Sequence, residues 1–379
     1  MPKPTVCAIV PTYNRSALLR VTLDGILAQT RPVDQILVIN DGSNDNTEEV
    51  VKSYGDRVTL ITKKNGGKAA AQNTALEHCT ADFVWICDDD DYADPKGIEI
   101  LADMLDADPS LDVAMGNYTF FREVEGKRIF TDRIFGREGE SNLKILFLDG
   151  MMTNLAAMLI RRSLFSATGP FRSDVGMVDD HDMAIRVLRN AKAVYVPKVI
   201  YYYRQHEGVR GNSVIPLMPC QRIFAWVRNE YRLDEYTPTF ALTWDEKRRQ
   251  RAALCERACV MARWGLWHEA IEDFKQVAQF DAGPMSAEEF HLIEAVPHWR
   301  NRFALLIENP AYVAEMRECS ALNDTGFAIV QAFLCPTIWG ARQAFLQGDF
   351  REGFRKMRQL FIVGGFRGAS ARIISSIKK

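Results

Sequence analysis

Phe83-Val84-Trp85-Ile86-Cys87 runs directly into Asp88-Asp89-Asp90-Asp91. The apolar run is short and rich in β-branched and aromatic side chains, which predicts a buried strand. The acids then stand at its carboxyl end, the edge where open α/β sheets bind ligands. Adjacent carboxylates repel, by about 1 kcal/mol per close pair even at the dielectric of water. A hard divalent cation such as Mg²⁺ or Mn²⁺ prefers oxygen ligands and relieves that repulsion. A solvated acidic turn is the plainer explanation of the same run.

Working outward, strand-like and helical stretches alternate. Strands are expected at residues 5–10, 35–40, 58–62, 82–87 and 112–115. A helix is expected over 15–29, where Leu19, Leu23, Ile26 and Leu27 recur at helical spacing. A second is expected from Asp45 with Glu48 completing a capping box, a third over 68–78, and a fourth with Asp94 as cap and Pro95 in its first turn. Such alternation predicts a Rossmann-like, mostly parallel sheet with helices on both faces. Further on, a hairpin is expected around Glu125-Gly126, strands at 155–160 and 194–199, and a helix at 180–190. From residue 216 the pattern is all-helical, with Thr243 and Glu246 as a capping box. There, Gly265-Leu266-Trp267 through Ile271 can be laid on Gly348-Asp349-Phe350 through Phe354, which suggests helical hairpins of tetratricopeptide type. The expected domains are therefore 1–215 (α/β) and 216–379 (helical).

A length of 379 residues accommodates two domains, and 47% apolar with 25% charged residues is ordinary for a globular chain. A net charge of −2 lacks the basic excess of a nucleic-acid binder. The 8 cysteines form no CxxC pair, which argues against a zinc site or disulfide framework. Cys255 and Cys259 are spaced to share one helix face and are expected in a core. Reduced thiols, a start without a signal-peptide layout and the lack of a long apolar run lead to an expectation of a cytoplasmic protein. Residues 351–379 are basic with interleaved apolar side chains. They suit either peripheral contact with the inner face of an anionic membrane or a helix packed on its own domain.

The chemistry-bearing segments fall at successive strand ends. Pro11-Thr12-Tyr13-Asn14-Arg15 follows the first strand, Asn40-Asp41-Gly42-Ser43 the second, and Asn65-Gly66-Gly67-Lys68 through Asn73 the third. The acidic run follows the fourth, so one ligand shared by one sheet edge is the simplest account.

These segments, with Gly169-Pro170-Phe171, Asp179-Asp180-His181-Asp182 and Tyr203-Arg204-Gln205-His206, resemble a family 2 glycosyltransferase of the GT-A fold over residues 4–213. The resemblance implies an inverting, metal-dependent enzyme. It would move a sugar from a nucleotide-sugar, a UDP-sugar above all, to a hydroxyl of a glycan or lipid-linked acceptor, as in bacterial cell-envelope polysaccharide assembly. On that basis Pro11, Thr12, Tyr13 and Arg15 line the nucleotide pocket. Asp41 accepts a hydrogen bond from the base, although it also suits a turn cap beside Gly42. Lys68 lies near the phosphates or base, or is a solvated first-turn residue. Asp88 and Asp90 match the D-x-D pattern and hold Mn²⁺ or Mg²⁺. Asp88 also meets the ribose, Asp89 faces outward on the donor side, and Asp91 faces donor or acceptor. Asp180 is the general base, or with Asp179 a helix cap. Asp179 and His181 lie on the acceptor side, His206 ligates the metal, and Arg204, Arg210 and Ser213 steady the diphosphate. Family members more often carry Glu at Asp179, Trp at His181 and Arg near Gln72. The rival readings are a sugar nucleotidyltransferase on a similar fold and a non-catalytic protein that binds a sugar nucleotide or another protein.

Overall fold

The computed structural model describes residues 3–125, 127–131, 141–149, 154–205, 217–296, 306, 309–347, 349, 351–352 and 354–356. The chain falls into two compact units, one of Met1–Glu138 with Leu146–Pro216, the other of Gly139–Ile145 with Leu217–Lys379.

The first unit is built on a sheet of β1 (Val6–Thr12), β2 (Gln35–Asn40), β3 (Thr59–Thr62), β4 (Phe83–Ile86), β5 (Tyr92–Ala93), β6 (Val113–Val124), β7 (Lys127–Thr131), β8 (Met158–Arg161) and β9 (Ala193–Arg204). Their spatial order is β3-β2-β1-β4-β8-β6-β9-β5, with β7 on β6. Strands β3, β2, β1 and β4 are parallel, the Rossmann-like half. Beyond β4 the sheet is mixed: β8 runs antiparallel to both β4 and β6, while β9 is parallel to β6. The hairpin expected around Glu125 forms as β6–β7, with Val124 opposite Lys127.

The helices of this unit are α1 (Ser16–Leu27), α2 (Thr47–Lys52), α3 (Lys68–His78), α4 (Gly97–Ala107), the part of α5 (Leu143–Asp149) from Leu146 onward, α6 (Leu164–Thr168) and α7 (Asp179–Asn190). Helix α1 buries Leu19, Leu23 and Ile26, and α4 buries Ile98, Leu101 and Leu105 in the same core. Full burial of such side chains stabilises by about 1.5–3 kcal/mol each. Strands β1 and β4 are buried throughout, as unbroken apolar runs in a parallel sheet should be.

Several helix starts differ from expectation. The Asp45–Glu48 capping box does not form. Asp45 Oδ1 accepts from Thr47 N at 3.1 Å, and Glu48 turns instead to Lys52 and Thr62, each at 3.1 Å. Helix α4 begins at Gly97, because the Asp94 carboxylate and carbonyl accept from Lys96 N (2.9 Å) and Gly97 N (2.8 Å) in a turn that precedes it. Residues Leu155–Ala157 form a short 3₁₀ turn rather than strand, capped by Asn154.

The second unit is helical: α8 (Leu217–Glu230), α9 (Glu246–Arg263), α10 (Trp267–Gln279), α11 (Ala287–Ala295), α12 (Pro310–Leu322) and α13 (Asp324–Leu346). The cap of α9 is Asp245, which accepts from Arg248 N at 3.1 Å, and not Thr243. Helices α9 and α10 form a hairpin that turns at Gly265, whose φ of 77° suits glycine. Phe224 stacks on Trp264 at 4.5 Å, and Phe274 meets Phe333 at 5.1 Å. Cys255 and Cys259 are buried here as expected. Buried Arg251 grips both oxygens of Glu289 at 2.8 and 2.9 Å. Much of the second copy of the internal echo, and residues 357–379 of the basic tail, lie outside the described residues. Among the described residues no helix is long and apolar enough to cross a membrane.

Gly116 sits where β6 changes register against β9. A Cβ there would lie 2.2 Å from Ile200 Cγ1 and 2.9 Å from the Lys198 carbonyl oxygen. Gly116→Ala should therefore cost about 1–3 kcal/mol of overpacking, read as a lowered denaturation midpoint. An unchanged midpoint would show that β9 shifts freely at this point.

Candidate active site

Because β1, β2 and β4 are parallel, with Thr12 opposite Asn40 and Ile9 opposite Ile86, their following loops leave the sheet on one edge. The loops are laced together. Asn14 N donates to Ser43 Oγ at 2.9 Å, Asn44 N donates to Asn14 Oδ1 at 2.7 Å, and Ser16 N donates to Asp45 Oδ2 at 2.9 Å. Pro11 and Thr12 are buried at the end of β1, whereas Tyr13 remains 46% exposed at its rim.

Asp41, at the end of β2, organises the glycine loop before α3. Its Oδ1 accepts from Lys63 Nζ (2.8 Å) and Gly66 N (3.0 Å), and its Oδ2 from Gly67 N (2.8 Å). Gly67 has φ of 85°, which delivers Lys68 as the first residue of α3. Lys68 Nζ then lies 2.7 Å from Asp88 Oδ1 and 2.9 Å from Asp180 Oδ2. Burial opposes its charge, yet Asp180, Asp88 and Asp179 together hold its pKa well above the ordinary lysine value.

Two contacts fix α7 against α3. Asn73 Nδ2 donates to the Phe171 carbonyl at 2.9 Å, and Phe171 N donates back to Asn73 Oδ1 at 2.8 Å. Buried Asp182 pairs with Arg186 at 2.6 Å, and Arg186 also donates to the carbonyls of Thr168 (2.7 Å) and Pro170 (3.0 Å). The Gly169-Pro170 turn and the start of α7 are thereby held as one piece. Asp180 Oδ1 is buried with no hydrogen-bond partner. Burial, reinforced by Asp180 and opposed by Lys68, pushes the Asp179 carboxyl up to about 7.

The acidic run is folded inward. Asp88 N donates to the Tyr201 hydroxyl at 3.1 Å. Arg15 pairs with Asp89 at 3.1 Å and also with Asp90. Arg204 Nε donates to the Asp90 carbonyl at 2.7 Å, and Arg204 N to Asp91 Oδ1 at 2.7 Å. Burial raises the Asp89 carboxyl to about 6, helped by Asp90 and opposed by Arg15. Burial likewise raises the Asp91 carboxyl well above the usual carboxylate range, helped by Asp90 and Asp88.

Four of the expected site residues, Asp89, Asp91, His181 and Arg204, are buried. Asp89 is not outward-facing: at 6% exposure it is turned in onto Arg15. Asp91, at 1% exposure, accepts from Arg204 N and anchors the end of β9. His181 is likewise 1% exposed, with Nε2 3.4 Å from the Phe147 carbonyl of α5. Arg204 holds the acidic loop and Glu123 (2.9 Å), while its Nη2 is buried without a hydrogen-bond partner. His206, Arg210 and Ser213 lie outside the described residues. The contributions of Lys63, Asn73 and Tyr201 were missed. Their partners are 22, 98 and 113 residues away, beyond any local signal.

Among the described residues no three His, Cys, Asp or Glu side chains surround a common ion position. Mg²⁺, however, is commonly held by one or two carboxylates with substrate phosphates. Asp88 and Asp90 supply hard oxygens of that kind, and Asp91 Oδ2 beside them is buried without a hydrogen-bond partner. The donor set fits a hard divalent cation that arrives with phosphate.

A family model for glycosyl transferase family 2 matches residues 7–169. Glycosyltransferase GlyA of Streptococcus pneumoniae is 31% identical over 215 residues, covering 54% of this chain and 31% of GlyA. The chain thus spans about a third of that relative's length. An uncharacterized glycosyltransferase of Rickettsia typhi is 28% identical over 218 residues, 56% of this chain and 67% of that protein. Among solved structures, S. aureus TarS 1–349 in complex with UDP-GlcNAc aligns with a TM-score of 0.54 at 16% identity, covering 91% of this chain and 93% of that one. At that identity the likeness is one of fold.

The Asp179 carboxyl gives a signed pH dependence. Its pKa of about 7 exceeds the ordinary value of 3.8, so its protonated form is favoured by folding. Stability from this group is full below the unfolded pKa and is lost as pH rises through about 7. Asp179→Asn should therefore melt progressively higher than the parent protein between pH 5 and pH 8. A pH-independent difference in thermal denaturation would contradict this.

Proposed function

We propose, for a chain that belongs to glycosyl transferase family 2 over residues 7–169, that it catalyses inverting transfer of a sugar from a nucleotide-sugar to a hydroxyl acceptor, with Asp180 as general base. The observation that carries this reading is the arrangement around Lys68. Asp180 Oδ2 is held at 2.9 Å by the same ammonium that meets Asp88 Oδ1 at 2.7 Å. Asp180 Oδ1, buried and without a hydrogen-bond partner, is left to take a proton. The acceptor oxygen attacks the anomeric carbon as its proton passes to Asp180 Oδ1. The bond from that carbon to the diphosphate oxygen breaks, and the electron pair leaves with the nucleoside diphosphate. Asp88 and Asp90 would hold Mn²⁺ or Mg²⁺, which would supply Lewis-acid stabilisation of that leaving group.

Tyr13 at the rim and the Asp41-braced glycine loop are assigned to the nucleoside, and Pro11 and Thr12 to the floor beneath it. Arg15 keeps Asp89 and Asp90 compensated. Uridine is our choice of nucleoside, supported by the carboxylate acceptor at Asp41 and by the UDP-GlcNAc complex of the TarS fold neighbour. A glycan or lipid-linked acceptor, reached from the cytoplasmic side, is the class that suits hydroxyl attack.

Asp180→Asn should lower kcat by about 10²–10⁴-fold, the usual contribution of a positioned base. The loss should fall on kcat, because proton transfer to this carboxylate belongs to the chemical step. The assay reads release of nucleoside diphosphate from a panel of nucleotide-sugars. Release of pyrophosphate instead would mean nucleotidyl transfer, and an undiminished kcat would remove Asp180 from the chemistry.

A further inference from the structure

Lys68 touches both halves of the site. Its side chain, 17% exposed at the start of α3, lies 2.7 Å from Asp88 Oδ1 and 2.9 Å from Asp180 Oδ2. The backbone beneath it is fixed, since Asp41 accepts from Gly66 N and Gly67 N, and Asn73 clamps the next turn to Phe171. A divalent cation on the Asp88 carboxylate would stand close to this ammonium. In a site shielded from water, two cations that share one carboxylate repel strongly. The Lys68 side chain has four rotatable carbons and can leave while the helix stays in place. The anionic oxygens of a diphosphate offer it a new partner.

We propose that Lys68 is a resident counter-ion. It holds Asp88 and Asp180 together until a nucleoside diphosphate draws it away, so that the cation and the nucleotide are accepted as a unit. Withdrawal of Lys68 from Asp180 Oδ2 then frees the base only when a donor is in place. Lys68 acts here as a positioning residue, through the two carboxylates, and this role rests on the assignment of Asp88 and Asp180 given above. The arrangement accounts for a lysine in the first turn of α3, where the helix dipole disfavours a cation: Asp88 and Asp180 compensate it.

The test is calorimetric titration of Mn²⁺ into the full chain, with and without UDP. The parent protein should bind Mn²⁺ alone weakly, and UDP should tighten it by about ten-fold or more, within the range of ordinary site coupling. Lys68→Met should bind Mn²⁺ alone about ten-fold more tightly than the parent, and UDP should add correspondingly less. Lys68→Gln, which keeps a polar group against the buried carboxylates, makes the same comparison if the methionine variant does not fold. Lys64→Met, at an exposed lysine of the preceding loop, measures the general effect of losing one positive charge. Lys68 variants that bind Mn²⁺ no better than the parent, or that match Lys64→Met, overturn the proposal. A parent protein that binds no Mn²⁺ even with UDP overturns the donor-site assignment on which the proposal stands.

Discussion

Four carboxylates packed at the end of one buried strand are the constraint around which this sheet edge is arranged. Such a cluster repels itself and resists burial, and the chain answers with cations from distant segments. Arg15 comes from the loop after β1 to Asp89 and Asp90. Lys68 comes from the start of α3 to Asp88. Arg204, at the end of β9, donates its Nε to the Asp90 carbonyl and its backbone N to Asp91 Oδ1. Each cation needs its own element in register, so the acidic run helps to fix where β1 and β9 end and where α3 begins. The compensation is incomplete: Asp89 still rises to about 6 and Asp179 to about 7. Carboxyls held near neutrality in this way commonly mark functional sites.

The same compensation links structure to chemistry. A cation that neutralises Asp88 also reaches Asp180, and this sets the donor-side acid beside the proposed base at the span of a single ammonium. Asn73 and Arg186 make that span reproducible, the first by clamping Phe171 and the second by holding the turn before α7. None of these supporting contacts needs to touch a substrate to matter. They fix the distance between Asp88 and Asp180, the two carboxylates proposed to serve the leaving diphosphate and the proton.

The parallel half of the sheet was legible because its signals are local. Residues 35–40 and 68–78 fall where the apolar runs and the glycine punctuation predicted, as Gln35–Asn40 and Lys68–His78. The mixed half was less legible because β8 is short and antiparallel between two strands, and its pairing depends on distant partners. The capping boxes at Asp45 and Thr243 did not form: Asp45 accepts from Thr47 N, one residue before Glu48, and Asp245 rather than Thr243 caps α9 through Arg248 N. In the site, residue types were readable but orientation was not. A run of four aspartates does not tell which carboxylate turns to Arg15 and which to the end of β9. The inward positions of Asp89, Asp91 and His181 follow from burial decided by strands far along the chain.

The central claim is a nucleotide-sugar site that depends on a divalent cation at Asp88 and Asp90. Its most direct test is calorimetric titration of UDP, GDP, CDP and dTDP, each with and without Mn²⁺, into the parent chain and Asp90→Ala. The account expects UDP to bind best, to need the cation, and to lose that dependence in Asp90→Ala. Absence of binding by any of the nucleotides would contradict it, as would binding indifferent to both the cation and Asp90.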